Sequence, residues 1–254
     1  MNMLRFIRIS RLLGDKAVER LSGASVLIVG LGAVGGFAME ALARSGVGHF
    51  KIVDFDTIGL TNINRQLLAG ESTLGKKKVE AAKARILDIN SAAIVDALDL
   101  FAHEDTLETI FDGKIDIVID AIDSLTPKLA LLEGAYKRKL PIISSMGAAL
   151  RLDPSLIRSA DLMDTNGCPL AKQVRTKLKR RNVGRGITAV FSTEPVVYDY
   201  KEPEDEQYID LNEQILDRGR PRKVLGSLPT VTGMFGLRVA HEAIMHLIRE
   251  RFEM

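Results

Sequence analysis

The chain of 254 residues has no tryptophan and only one cysteine, Cys168. A single cysteine excludes an intrachain disulfide and an all-cysteine zinc site within one chain, and it fits a reducing compartment. The missing tryptophan carries no functional message. The formal net charge is only +2, so the protein as a whole is not a nucleic-acid coat and any basic surface must be local. Long apolar runs are also missing. The most apolar late stretch, 230–248, contains Arg238, His241 and Glu242 and reads as a core helix, not a membrane span. The N-terminus is too short and too interrupted by Arg5 and Arg8 for a secretory signal. These features together point to a cytoplasmic protein. There is no internal repeat and no low-complexity segment. His241 and His246 frame a stretch resembling a zinc-protease signature, but their spacing of five puts the rings on different helix faces.

Apolar residues make up 46% of the chain, enough for a substantial core. The stretch that organises the rest is 25–65. Residues 25–29 are a short β-branched apolar run and read as a buried strand. Gly30, Gly32 and Gly35 follow at Gly-x-Gly-x-x-Gly spacing, then a helix over 33–45 and a second strand over 50–53 ending in Asp54. In this spacing Gly30 makes the tight turn, Gly32 lets backbone approach phosphate oxygens, and Gly35 lets helix and strand pack closely. The helix N-terminus offers free N–H groups to an anion. Asp54, 24 residues after Gly30, stands where an acid takes a ribose hydroxyl.

The glycine pattern by itself favours a nicotinamide dehydrogenase. The residues beyond Asp54 do not. Thr61-Asn62-Ile63-Asn64-Arg65-Gln66 is followed by Gly75-Lys76-Lys77-Lys78 and by Asp120-Ala121-Ile122-Asp123-Ser124. A nicotinamide site has no need of that set. A triphosphate with Mg²⁺ does: cations neutralise the phosphates and a hard carboxylate holds the metal.

Further along, alternating strands are expected at 94–100, 115–120, 140–145 and 187–198. Helices are expected at 74–90, 103–111, 127–138 and 228–248, with one short amphipathic helix leading from the N-terminus to the first strand. This alternation means an α/β fold: a Rossmann-like, mostly parallel sheet with helices on both faces. Lys76, Lys77 and Lys78 are expected in the first turn of the 74–90 helix, where cations are unfavourable, and this points to an external anion. Of the acids after the 115–120 strand, one is expected to cap or support the next helix. Seven basic residues from Lys172 to Arg185, with no acid among them, form a local patch able to attract RNA phosphates. Residues 201–207 read as an acidic exposed loop and 221–229 as the loop before the closing helix.

The motifs at 30–35, 54–58, 61–66, 74–80 and 120–124, in that order, resemble the adenylating enzymes related to ubiquitin-activating enzymes, including the ThiF-like sulfur-carrier adenylyltransferases. The resemblance spans 5–248. It is greatest to the branch that dehydrates threonylcarbamoyladenosine in tRNA, which shares Ser124 and the Pro169-Leu170-Ala171 start of a basic helix. It implies one adenylating-type domain over 1–254, with an N-terminal helical part (1–21), a nucleotide-binding core (22–150) and a tRNA-facing C-terminal part (151–254). It implies ATP and Mg²⁺, with Asp54 on the ribose, Asn62, Arg65 and Lys78 on the phosphates and Asp123 on the metal. It further implies a homodimer in which Arg8, or else Arg11, reaches the partner's nucleotide. The substrate would be tRNA, and a cysteine-desulfurase sulfur-acceptor system is an implied partner. In the wider family a downstream cysteine can form a thioester with the activated carrier; nothing in the sequence near Cys168 guarantees a thiolate, and its role stays open. Two alternatives remain: a sulfur-carrier adenylyltransferase, whose relatives usually carry zinc cysteines that this chain lacks, and a non-catalytic tRNA- and nucleotide-binding relative.

Overall fold

The computed structural model describes residues 3–196 and 225–249. Strand β1 (Ser25–Val29) shows how the sheet is built. Val26 and Ile28 point into one apolar cluster, and Leu27 and Val29 into a second on the opposite face. A strand buried on both faces reads as a continuous apolar run because every residue, not every second one, meets a core. The same division holds for β4 (Ile117–Asp120), with Ile117 and Ile119 on one side and Val118 on the other.

With β2 (His49–Val53), β3 (Ile94–Leu98), β5 (Ile142–Ser145), β6 (Ile157–Asp161) and β7 (Ile187–Ser192), these form one seven-stranded sheet in the order β3-β2-β1-β4-β5-β7-β6. All neighbours pair in parallel except β6, which runs antiparallel to β7 at the edge. No strand is expected at 157–161 from the sequence. Four of its residues are part-buried and Arg158 is exposed, as suits an edge, so the apolar signal is weak.

Helices α2 (Asp15–Gly23), α3 (Gly35–Arg44), α4 (Lys78–Ile89) and α8 (Pro229–Leu247) cover one face. On the other lie α5 (Leu107–Ile110), α6 (Leu125–Lys137) and α7 (Pro169–Lys179). The strand order reverses between β1 and β4, and ligands of open α/β sheets bind at such a point, beyond the strand C-termini. No described helix is long and apolar enough to cross a membrane.

Two expectations are corrected here. The single N-terminal helix is two, α1 (Ile7–Leu13) and α2, because Gly14 takes φ +87 and extended ψ, a geometry that stops a helix. And α4 begins at Lys78, not four residues earlier. Residues 75–78 instead lie alongside 56–58: Thr57 bridges Lys77, Ile58 donates to the Lys76 carbonyl and Lys78 donates to that of Asp56. The acidic 201–207 stretch, the end of the strand expected to 198 and positions 221–224 lie outside the described residues.

Candidate nucleotide site

The turn out of β1 is built from backbone close approaches. Gly30 has φ +93, and a Cβ there would stand 2.7 Å from the Ala121 carbonyl oxygen at the end of β4. A Cβ on Gly35 would lie 1.8 Å from the Gly30 carbonyl oxygen, so α3 starts directly against the turn. Gly32 differs. Its added Cβ would meet nothing nearer than Gln66 Nε2 at 3.9 Å. Packing explains Gly30 and Gly35. It does not explain Gly32, where a missing side chain leaves room for a ligand to reach backbone N–H groups.

Asp54, at the tip of β2, is 9% exposed. Its Oδ2 accepts from Leu31 N at 2.6 Å and its Oδ1 from Asp56 N at 2.9 Å. The carboxylate therefore ties the glycine turn to the end of the neighbouring strand. Burial pushes its pKa up, with Asp56 adding to the rise, while the Lys78 charge and the two backbone donors pull it down. Lys78, 4% exposed, donates to Asp56 Oδ2 at 2.7 Å. The glycine turn, Asp54, Asp56 and Lys78 thus form one connected cluster.

The three lysines are not alike. Lys78 occupies the first turn of α4, Lys77 is its N-cap residue, and Lys76 precedes it. Lys77 Nζ reaches the Phe55 carbonyl and Asp99. The electrostatic misfit read as a call for an external anion is therefore offset in part by Asp56 and Asp99.

Asn62 is 2% exposed, and its Oδ1 accepts from Gly59 N at 3.2 Å, bracing a short 3-10 turn at Leu60–Asn62. Arg65 is half-buried, held by the Thr61 carbonyl and Asn64 Oδ1, with no carboxylate partner among the described residues. At the end of β4, Asp120 and Asp123 separate in role. Asp120 is fully buried and pairs with the equally buried Lys128 at 2.5 Å, while its Oδ1 accepts from Ile122 N. It supports the loop and does not cap α6, whose N-cap residue is Ser124. Asp123 is exposed and accepts from Ser124 Oγ.

Arg8 is not near this cluster. Phe6 packs on Gly46, after the C-terminus of α3, and Arg5 donates to the Ile89 carbonyl at the C-terminus of α4. Both contacts lie at the strand N-termini. A five-residue strand spans about 17 Å, so the N-terminal segment is anchored at the opposite end of the sheet from its own glycine turn. Arg8 and Arg11 are both exposed.

The basic stretch is also partly neutralised by residues distant in sequence. Arg181 pairs with Glu133 of α6, Arg185 with Asp164, and Arg175 donates to Thr165. Lys172, Lys177, Lys179 and Arg180 stay exposed and make no ion pair with a described residue. Cys168, 5% exposed, is the N-cap residue of α7 and makes no side-chain capping bond. Asp56 and Lys128 join the site only in the structure. Asp56 had a signal, lying in the same short motif as Asp54; Lys128 had none, being one lysine in an apolar helix.

A Rossmann-type sheet with a phosphate-binding turn at its switch point, an acid at the second strand tip and a lysine opening the next helix defines an adenylating-type α/β nucleotide-binding protein. The sequence matches the ThiF family over residues 4–253, and the chain belongs to that family. It is 46% identical over 194 residues to the tRNA threonylcarbamoyladenosine dehydratase of Bacillus subtilis, covering 76% of each chain. The dehydratase of Escherichia coli is 38% identical over 201 residues, covering 76% of this chain and 75% of that one. The crystal structure of the E. coli tRNA N6-threonylcarbamoyladenosine dehydratase in complex with ATP superposes with a TM-score of 0.84 at 32% identity, covering 98% of this chain and 95% of that one.

Proposed function

We propose that the chain is an ATP-dependent dehydratase of threonylcarbamoyladenosine in tRNA. The observation that carries this reading is the match over nearly the whole length of both chains to an ATP-bound enzyme of that activity. In the reaction the threonylcarbamoyl carboxylate attacks the α-phosphate and pyrophosphate leaves. The threonylcarbamoyl group then closes on its own activated carbonyl, and AMP leaves carrying the former carboxylate oxygen. The net loss is one water. An ionised carboxylate needs no general base to attack, so positioning and charge neutralisation are the protein's task.

Asp54 offers its remaining lone pairs to the ribose hydroxyls. Asn62, Arg65 and Lys78 are assigned to the phosphates, and Arg65 has a guanidinium free of any described carboxylate with which to meet them. Asp123 fits Mg²⁺ as a single exposed hard carboxylate, since this ion commonly takes one or two carboxylates and completes its shell with water and phosphate oxygens. Bound there, Mg²⁺ neutralises phosphate charge. Residues 151–254 form the tRNA-facing part, and the place of action is the cytoplasm. A cysteine-desulfurase sulfur-acceptor system is a further partner on family grounds.

The enzyme acts as a homodimer with shared sites. Leu4, Ile7 and Leu12 are exposed by 78%, 40% and 75%, an apolar surface suited to a partner, and they flank Arg8. Anchored far from its own nucleotide turn, Arg8 serves the partner's, with Arg11 as the second candidate. Mixing Arg8→Ala and Lys78→Ala subunits should therefore restore roughly a quarter of wild-type turnover, since half of random dimers are mixed and each has one intact site. No recovery on mixing, with exchange verified, contradicts a shared site.

The four cations on and after α7 that pair with no described residue are assigned to RNA. Lys179→Glu with Arg180→Glu should raise KM for tRNA about tenfold and flatten its salt dependence, with ATP affinity unchanged. Equal tRNA kinetics in the variant would make this a solvated face only. The reading itself is tested by nucleotide choice and pyrophosphate release. The protein should bind ATP–Mg²⁺ and not NAD, and should release pyrophosphate only with threonylcarbamoylated tRNA. Release driven by a carrier protein's C-terminal glycine would place it among the sulfur-carrier adenylyltransferases.

A further inference from the structure

Arg151 is among the largest fully buried side chains in the protein, at 2% exposure, and it forms no ion pair with a described residue. Its Nε and Nη1 have no hydrogen-bond partner among the described residues, and its only hydrogen bond there is a long one, Nη2 to the Gly167 carbonyl at 3.5 Å. A buried guanidinium that meets no described counter-charge is unfavourable by itself, so the site has a use for an anion there.

The backbone on either side of Arg151 is tied down. Leu150 takes φ +60, a strained geometry for a branched residue. Its N–H donates to the Gly226 carbonyl at 2.9 Å. On the other side, Leu152 N and Asp153 N both donate to the Glu194 carboxylate, at 3.0 and 3.1 Å. Backbone clamps on both sides thus fix Arg151. Its neighbour Gly167 leads through the N-cap residue Cys168 into α7. That helix opens with Pro169, its N-cap makes no side-chain bond, and the Leu170 and Ala171 amides find no acceptor among the described residues. A helix N-terminus carries partial positive charge and favours an anion. Here it stands beside a buried cation without a described counter-charge, so the two demands coincide.

The position tells which anion. Arg151 follows β5, and Gly167 packs on Thr193 just after β7. These strands lie two and three places from β1, on the opposite side from β2 and Lys78, so about 10–14 Å from the glycine turn at the usual strand spacing. Lys78, assigned above to the nucleotide phosphates, stands on the β2 side beside Asp56. An enzyme that adenylates a carboxylate must bring that carboxylate to the α-phosphate from the other side. We infer that Arg151, with the Leu170 and Ala171 amides, binds the carboxylate of the threonylcarbamoyl group and orients it toward the nucleotide. This rests on the dehydratase reading above.

The test compares threonylcarbamoyladenosine with its methyl ester as competitive inhibitors of tRNA turnover, in wild type, Arg151→Met and Arg151→Lys. In wild type the acid should compete at least about tenfold better than the ester, the loss expected for a charged hydrogen bond. In Arg151→Met that preference should disappear and KM for tRNA should rise by a similar factor, with KM for ATP within about twofold of wild type. Arg151→Lys should keep part of the preference. A folded Arg151→Met that still prefers the acid overturns the inference. So does a rise in KM for ATP in place of tRNA, which would assign Arg151 to the nucleotide, or a loss confined to the salt dependence of tRNA binding, which would assign it to an RNA phosphate. If Arg151→Met does not fold, the wild-type comparison decides: equal competition by acid and ester contradicts the inference, and the expected preference, weakened in Arg151→Lys, supports it. Failure of the dehydratase reading itself looks different, because wild type would then show no ATP-dependent loss of water.

Discussion

Lys78→Ala lowers kcat by at least about two orders of magnitude, the scale on which one preorganised charge at a transition state acts, while secondary structure is kept. Two effects combine. The phosphates lose a cation, and Asp54 loses a charge that lowers its pKa. Sign matters for the second effect. The Asp54 carboxyl is already raised by burial, and removing Lys78 raises it further, so as pH falls the ionised form that holds the Leu31 amide is lost at a higher pH. The acidic limb of the residual pH–rate profile should therefore move upward. Measured kcat against pH for wild type and variant checks both. Full turnover would remove Lys78 from the phosphate site, and a low kcat with an unmoved acidic limb would separate Lys78 from Asp54.

Lys128→Met is expected to act on stability. Lys128 and Asp120 are both fully buried, and Lys128 also donates to the Ser145 carbonyl at 2.9 Å. Removing one partner leaves Asp120 as an uncompensated buried charge, at a cost of about 3–5 kcal/mol. In a domain of this size, Tm should fall by roughly 6–20 °C. Asp120→Asn combined with Lys128→Met should recover part of that loss, because the stranded charge is gone. The pair matters to the site because Asp120 Oδ1 holds Ile122 N and so shapes the loop carrying Asp123. Thermal unfolding of both variants checks this. A change in Tm below about 2 °C in the single variant would mean that Asp120 finds another partner.

The parts of this architecture that were legible in sequence are those with local causes. The β1 strand, the three glycines and Asp54 sit within one unit of strand, turn, helix and strand, and steric rules at neighbouring residues fix each role. The sheet class followed from continuous apolar runs such as 115–120, which need a core on both faces. What was not legible depends on residues distant in sequence. The lysines at 76–78 looked like three free cations, yet Asp56 and Asp99 partner two of them across 22 positions. The basic run from Lys172 looked uncompensated, yet Glu133 and Asp164 offset two of its arginines. Arg151 gave no signal at all, since one arginine after a strand looks solvated until its burial is known. Gly14 is visible in the sequence, but only its positive φ shows the break between α1 and α2.

The most direct test of the account is mass spectrometry of nucleosides from threonylcarbamoylated tRNA incubated with the protein, ATP and Mg²⁺. The account predicts that threonylcarbamoyladenosine is converted to a species lighter by one water, and only when ATP is present. An unchanged nucleoside, in a preparation that demonstrably binds ATP–Mg²⁺, would contradict it.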